Sequence, residues 1–162
     1  MKNFPGSEGS ELAPYTFRRA EDGESPVVER SILAAFSQDS GWNDDSRVFV
    51  ESLESKLETA FSEQPPLCVV VQHGSRIIGA SLLTVVPDAP NHLLTGPCIL
   101  HEYRSRGIGS VLLHASLAAL QEMGLNVAHG LAPHLSPAAK YVYPKFGGLP
   151  ESWQTDESRL AA

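Results

Sequence analysis

Ile99-Leu100-His101-Glu102-Tyr103-Arg104-Ser105-Arg106-Gly107-Ile108-Gly109-Ser110 joins the end of an apolar strand to the start of a long apolar helix, through a loop rich in Arg and Gly. Gly107 and Gly109 carry no side chain where the backbone must turn tightly and come close to whatever lies in front. The first amides of a helix have no partner within it, and the helix dipole adds positive character at that end. With Arg104 and Arg106 beside them, these donors suit an anion such as a pyrophosphate. Two better-known phosphate loops do not fit. The dinucleotide fingerprint G-x-G-x-x-G needs a third Gly where Leu112 stands, and no Gly-Lys-Ser/Thr follows as in a P-loop. Read alone, the stretch is either a ligand cradle or a plain turn with two solvated arginines.

Outward from the loop, the chain bounds what kind of molecule carries it. At 162 residues it is most simply one domain, able to bury roughly two-thirds of its unfolded surface in a single core. Hydrophobic residues make up 42% and charged residues 19%, as in an ordinary globular protein. The formal net charge of -7 gives no basic field to hold a nucleic-acid backbone, so nucleic acid is excluded as a partner, and an acidic surface mildly favours a cationic acceptor such as an amine. Cys68 and Cys98 lie in apolar strand-like runs and form no C-x-x-C pair, which suits reduced thiols. There is no apolar segment at the N-terminus to serve as a secretory signal and no run of 18 apolar residues for a membrane span. A cytoplasmic protein is expected.

Residues 1–13 read as a flexible leader and 14–162 as a single domain. Tyr15 to Arg19 is rich in strand formers and ends at the turn Glu21-Asp22-Gly23. Ser25-Pro26 signals a helix start, a capping hydroxyl with Pro at the first helical position, and Val28, Ile32, Ala35 and Phe36 give a helical stripe to about Ser37. Phe49, Leu53, Leu57, Ala60 and Phe61 give a second, from about Asp45 to Ser62, which Pro65 and Pro66 stop. Leu67 to Val71 and Ile77 to Val86 read as a hairpin with a tight link at His73 to Arg76. His92 to Leu100 is the strand entering the cradle, interrupted at Gly96-Pro97. Gly107 to Met123 forms the helix, ending at Gly124, and Asn126 to Leu131 a fifth strand, so this half implies a parallel pair joined by a crossover helix. Ser136-Pro137 opens a last helix, and only one short strand fits after it, which leaves an open sheet edge or one completed by a second subunit as a homodimer.

Arg104-x-x-Gly107-x-Gly109 between a strand and a helix resembles the acyl-CoA signature R/Q-x-x-G-x-G/A of the GNAT superfamily of N-acetyltransferases. Ala139, Val142, Tyr143, Lys145 and Gly147 fall on a second element that the family carries later in its sequence. The resemblance implies an α/β (α+β) fold: a mixed central sheet of about six strands flanked by about four helices, splayed between strands four and five. The cofactor's pantetheine enters that gap in the family. By the same resemblance acetyl-CoA is the acyl donor, bound through the backbone of Cys98, Ile99 and Leu100 and by the loop of Arg104, Ser105, Arg106, Gly107, Ile108, Gly109 and Ser110. An interrupted strand supports this independently, since it leaves backbone groups that an extended amide-bearing ligand can pair with.

Tyr143 falls where the family's general acid sits, and a phenol with a pKa near about 10 is protonated at neutral pH and can donate to a leaving thiolate. Against it stands the ordinary packing role of an aromatic on an apolar face, and Pro144 directly after it disfavours helical geometry at Tyr143. Ser136 also replaces the Asn frequent at that helix start. His92 and His129 are the strand histidines that could reach the cleft as a base for the acceptor amine, and structural roles compete for both. The six histidines form no metal-ligand pattern, so no metal is expected. The resemblance therefore implies an N-acetyltransferase acting on a primary amine of a small molecule or peptide, with a non-catalytic acyl-CoA sensor of the same fold as the alternative. A nucleotide-binding enzyme of another class stands third.

Overall fold

A computed structural model of the chain describes residues 12–37, 45–89 and 91–129, the side chains of 45–50 excepted. The elements follow in the order β1 (Tyr15–Arg19), α1 (Ser25–Ser37), α2 (Asp45–Phe61), β2 (Cys68–His73), β3 (Arg76–Leu82), β4 (Cys98–Ile99), a 3-10 turn (His101–Tyr103) and α3 (Ile108–Glu122). The strands form one sheet in the order β1-β2-β3-β4, with each neighbouring pair antiparallel.

Every residue from Cys68 to Val71 on β2 and from Ile77 to Leu82 on β3 is buried. Successive side chains of a strand point to opposite faces, so both faces of the sheet are covered. The apolar stripe of α1, Val28, Ile32, Ala35 and Phe36, lies against β3 and β4, with α2 beside it through Leu53, Leu57 and Ala60. On the other face α3 covers β2 and β3 with Leu112, Leu113, Leu117 and Leu120. The β2–β3 hairpin turns at Gly74-Ser75, where Gly74 takes a left-handed φ of 64°. Burial pushes the Cys68 thiol up to about 12, as a thiolate there would have no solvation.

Several expectations are corrected. The first helix begins at Ser25 itself: the Glu24 carbonyl accepts from the Val28 N–H at 3.0 Å, so Glu24 takes the cap position assigned to Ser25. The Glu24 carboxylate closes the turn before the helix, accepting the Glu21 N–H at 2.7 Å while pairing with Arg18. Leu12, placed in the leader, packs on the core, and its carbonyl accepts from Tyr15 N–H. The β3 strand ends at Leu82 rather than Val86: the Leu82 N–H turns to the Thr95 hydroxyl at 3.1 Å, and beyond it come a bond from the Leu83 N–H to the Leu67 carbonyl at 2.9 Å and an isolated bridge, Leu83 to Leu93. Of His92 to Leu100, only Cys98–Ile99 pairs as a strand, with the break at Gly96 (φ 65°) where the sequence puts it.

Among the described residues the sheet has four antiparallel strands and the α-helices number three, against the expected mixed sheet of about six and about four. Residues 126–129 form no ladder strand, since His129 spends its backbone on His92 and Leu93 instead. The parallel pairing, the splay beside a fifth strand, and the last helix and strand fall at least partly on residues 130–162, which lie outside the described residues.

Candidate functional site

The pairing of β4 fixes which way its backbone faces. Leu100 N–H donates to the Ile78 carbonyl at 3.0 Å, and Ile99 and Cys98 stand opposite Gly79 and Ala80. Antiparallel pairs alternate between hydrogen-bonded and non-bonded. Cys98 and Leu100 therefore direct their backbone groups to β3, and Ile99 directs its N–H and C=O to the opposite edge. Arg104 Nε donates to that outward Ile99 carbonyl at 3.2 Å. Pro97 has no N–H to offer. Of the three residues expected to contact the donor through their backbone, Ile99 is the one whose amide faces away from the sheet.

The loop then winds through two left-handed residues, Ser105 at φ 63° and Gly107 at φ 81°. Such a backbone costs an ordinary L-residue about 1–2 kcal/mol, which strains Ser105 and leaves Gly107 at ease. Gly107 is the N-cap of α3, and no side chain caps the helix start. Among the described residues no acceptor meets the amides of Gly107, Ile108 or Gly109. Among the described residues, a Cβ on Gly107 would find nothing nearer than Leu12 Cδ2 at 4.0 Å.

The two arginines of the motif differ. Arg104, half-buried, donates from Nε to Ile99 and from Nη2 to the Ala35 carbonyl at 3.1 Å, in the last turn of α1 where carbonyls lack intrahelical partners. It clasps α1, β4 and the cradle together. Arg106 is exposed; it donates to the Tyr15 hydroxyl at 3.3 Å and the Glu102 carbonyl at 3.2 Å, and lies 5.4 Å over the Tyr103 ring. Tyr15, His73 and Tyr103 pack edge-to-face and tilted beside it, with His73 Nδ1 3.1 Å from the Tyr103 hydroxyl. Sequence reading missed this aromatic wall, whose members are distant in the chain and meet only because β1, β2 and the 3-10 turn end side by side.

His92 is fully buried, and both ring nitrogens are engaged by backbone: Nε2 lies 2.8 Å from the Val86 carbonyl, and Nδ1 accepts the His129 N–H at 3.0 Å. That removes it as a base. His129 is exposed, its ring stacked on His92 at 5.5 Å between centroids. Lys56, unremarked in the sequence, sits on the apolar side of α2 between Leu53 and Leu57, and partial burial lowers its ammonium below the ordinary range, with the Cys98 thiol opposing. Its spacing within that stripe was the available signal. Tyr143 lies outside the described residues. Among the described residues no group of His, Cys, Asp and Glu gathers as a metal site, and no helix is long and apolar enough to cross a membrane.

Residues 31–147 match the family model described as the acetyltransferase (GNAT) family. Among solved structures, the chain resembles a GCN5-related N-acetyltransferase from Ralstonia eutropha at 18% identity and a TM-score of 0.59, covering 88% of this chain and 97% of that one. It also resembles a predicted acetyltransferase from Clostridium acetobutylicum, solved with acetyl-CoA, at 16% identity and a TM-score of 0.51, covering 91% of this chain and 98% of that one. At such identities these likenesses speak for a shared fold alone. No curated protein matches the chain.

Proposed function

Since this chain belongs to the acetyltransferase (GNAT) family, whose chemistry is acyl transfer from acetyl-CoA, we propose that it is an N-acetyltransferase acting on a primary amine of a small molecule or peptide. The observation that carries the proposal is the start of α3 at Gly107, which no side chain among the described residues caps and which Arg106 flanks. A diphosphate fits it: the amides of Gly107, Ile108, Gly109 and Ser110 would hold its oxygens, Arg106 would add a cation, and Ser105 and Arg104 would shape the loop. The amide-bearing arm of the donor fits the outward edge of β4, where the Ile99 N–H supplies a backbone donor.

Acetyl-CoA, when bound, supplies a thioester carbonyl open to attack by an amine. The Ile99 N–H is spent on the arm in this arrangement; that a backbone N–H of the fourth strand polarises the thioester carbonyl comes from the resemblance to the family. The Tyr143 hydroxyl gives its proton to the departing sulfur; this role comes from the resemblance of residues 139–147 to the family. His129, exposed beside the start of the interrupted strand, is the histidine of the original pair that can still take up a proton from the acceptor.

One observation favours a second reading, a non-catalytic acyl-CoA-binding module: His92 is occupied by backbone on both sides and unavailable as a base. Titration calorimetry with acetyl-CoA separates these. Micromolar binding that a Gly107→Glu, Gly109→Glu variant loses, with no binding of NAD, supports the cradle. Tyr143→Phe should then keep affinity and lose turnover over an amine panel; unchanged turnover removes Tyr143 as the acid, and no turnover by the parent favours the module. A parent protein that binds no acetyl-CoA overturns both readings.

A further inference from the structure

We infer that His92 is a positioning residue that closes one end of the donor's track along the interrupted fourth strand. The inference rests on the acyltransferase reading above. Leu93 bridges Leu83 while Ile99 stands opposite Gly79, so the two points are separated by about 13 Å of strand. At Ile99 the outer edge presents an N–H. At the other end it is taken: the N–H groups of His92 and Leu93 both donate to the His129 carbonyl, at 2.7 and 3.2 Å. An arm held by the Ile99 amide and running away from the cradle therefore meets the backbone of His129.

His92 grips that backbone from a second direction. Its Nδ1 accepts the His129 N–H, so residue 92 binds both the N–H and the C=O of His129. With Nδ1 accepting, the ring proton sits on Nε2 and is donated to Val86. The His92 carbonyl accepts from Thr84 N–H at 3.0 Å, which anchors the whole knot to the continuation of β3. The His92 ring itself is fully buried, while its partners Val86 and His129 are exposed. His92 thus sets where the stop stands, and with it how far the acyl end of a donor travels along the edge.

Two substitutions split the ring's functions, because the oxygen of Asn falls near the place of Nδ1 and the amide nitrogen of Gln near that of Nε2. His92→Asn keeps an acceptor for His129 and loses the donor to Val86; His92→Gln does the reverse. Each loses one part-buried hydrogen bond, so similar losses of thermal stability are expected. Calorimetric Kd values for acetyl-CoA and for ADP, which has a diphosphate and no arm, read the positioning role. His92→Gln should raise the acetyl-CoA Kd about tenfold and His92→Asn by less than about threefold, with the ADP Kd unchanged in both.

In the parent protein, with no substitution, exchange of the His129 amide with solvent deuterium should slow with acetyl-CoA and not with ADP. Equal effects of Asn and Gln on acetyl-CoA, an equal shift for ADP, or a His129 amide indifferent to acetyl-CoA would each overturn the inference while leaving the cradle standing. Parent protein that binds acetyl-CoA no tighter than ADP does the same. Parent protein that binds neither overturns the transferase reading and this inference with it.

Discussion

Gly79 and Ile99 face each other across β3 and β4 so closely that a Cβ on Gly79 would lie 2.7 Å from Ile99 Cδ1 and 2.8 Å from the Cys98 carbonyl oxygen. Val71 Cγ1 closes the third side at 2.9 Å. A side-chain tip can swing away, but a carbonyl in a strand moves only with its strand. Absence of a side chain at residue 79 is therefore what lets β4 seat on the sheet with its outward edge where it is.

Gly79→Ala should accordingly destabilise the protein by about 1–3 kcal/mol through overpacking, and weaken acetyl-CoA binding because the Ile99 amide shifts with β4. Gly107→Ala makes the contrast. Nothing among the described residues crowds a methyl there, so its cost of about 1–2 kcal/mol is that of a left-handed backbone alone. Urea denaturation of both variants gives the two costs. A Gly79→Ala protein as stable as the parent would show that β4 is free to move, and the fixed-edge picture would fail.

Local pattern carried much of this fold. The stripe from Val28 to Phe36 gave α1 to its last residue, the run around Val69–Val71 gave β2, and Gly107 and Gly124 bracketed α3. The loop and the helix start at Gly107 were legible for the same reason, as their signals are neighbours in sequence. What escaped depends on contacts between distant residues. That Arg104 also ties the loop to α1, through the Ala35 carbonyl, depends on an element 69 residues away that no local pattern announces. His92 reads as a base on a strand until Val86 and His129 fill both its nitrogens. The run from Asn126 has strand composition, yet its backbone partners at His129 are chosen by His92, which no periodicity announces.

Arg18 and Glu24 tie β1 to the start of α1 through paired contacts of 2.8 Å, with each side chain less than a third exposed. The Arg18 hydrogen bond holds the Glu24 carboxyl below its ordinary value, and the Glu21 N–H adds to it. A depressed carboxyl contributes stability that is complete above its unfolded value, near about 4.3, and is lost as pH falls through the folded value. The charge-assisted pair is worth about 1 kcal/mol. Glu24→Gln should lower the melting temperature at pH 7, and the deficit should shrink as pH falls through the depressed folded value of the parent carboxyl. Melting curves across that range test this, and an equal deficit throughout would remove the ionised pair as the cause.

Arg104 and Arg106 lie two residues apart and should fail differently. Arg104 satisfies carbonyls of Ile99 and Ala35, both buried residues, and places a cation at the C-terminal end of α1 where the dipole favours it. Removing it in Arg104→Met leaves those two carbonyls short of a donor, at about 1–3 kcal/mol each. Arg104→Lys should recover only part, since one ammonium cannot reproduce a planar fork spanning two elements. Arg106 is exposed, and its bonds to Tyr15 and Glu102 compete with water, so Arg106→Met should change stability by less than about 0.5 kcal/mol. Its loss should instead be felt in acetyl-CoA affinity, more steeply at low salt, as for any cation beside a diphosphate. Denaturation and calorimetry on the three variants give the comparison: an Arg104→Met protein of parental stability would show that the clasp holds nothing, and an Arg106→Met protein of parental affinity would remove Arg106 from the cradle.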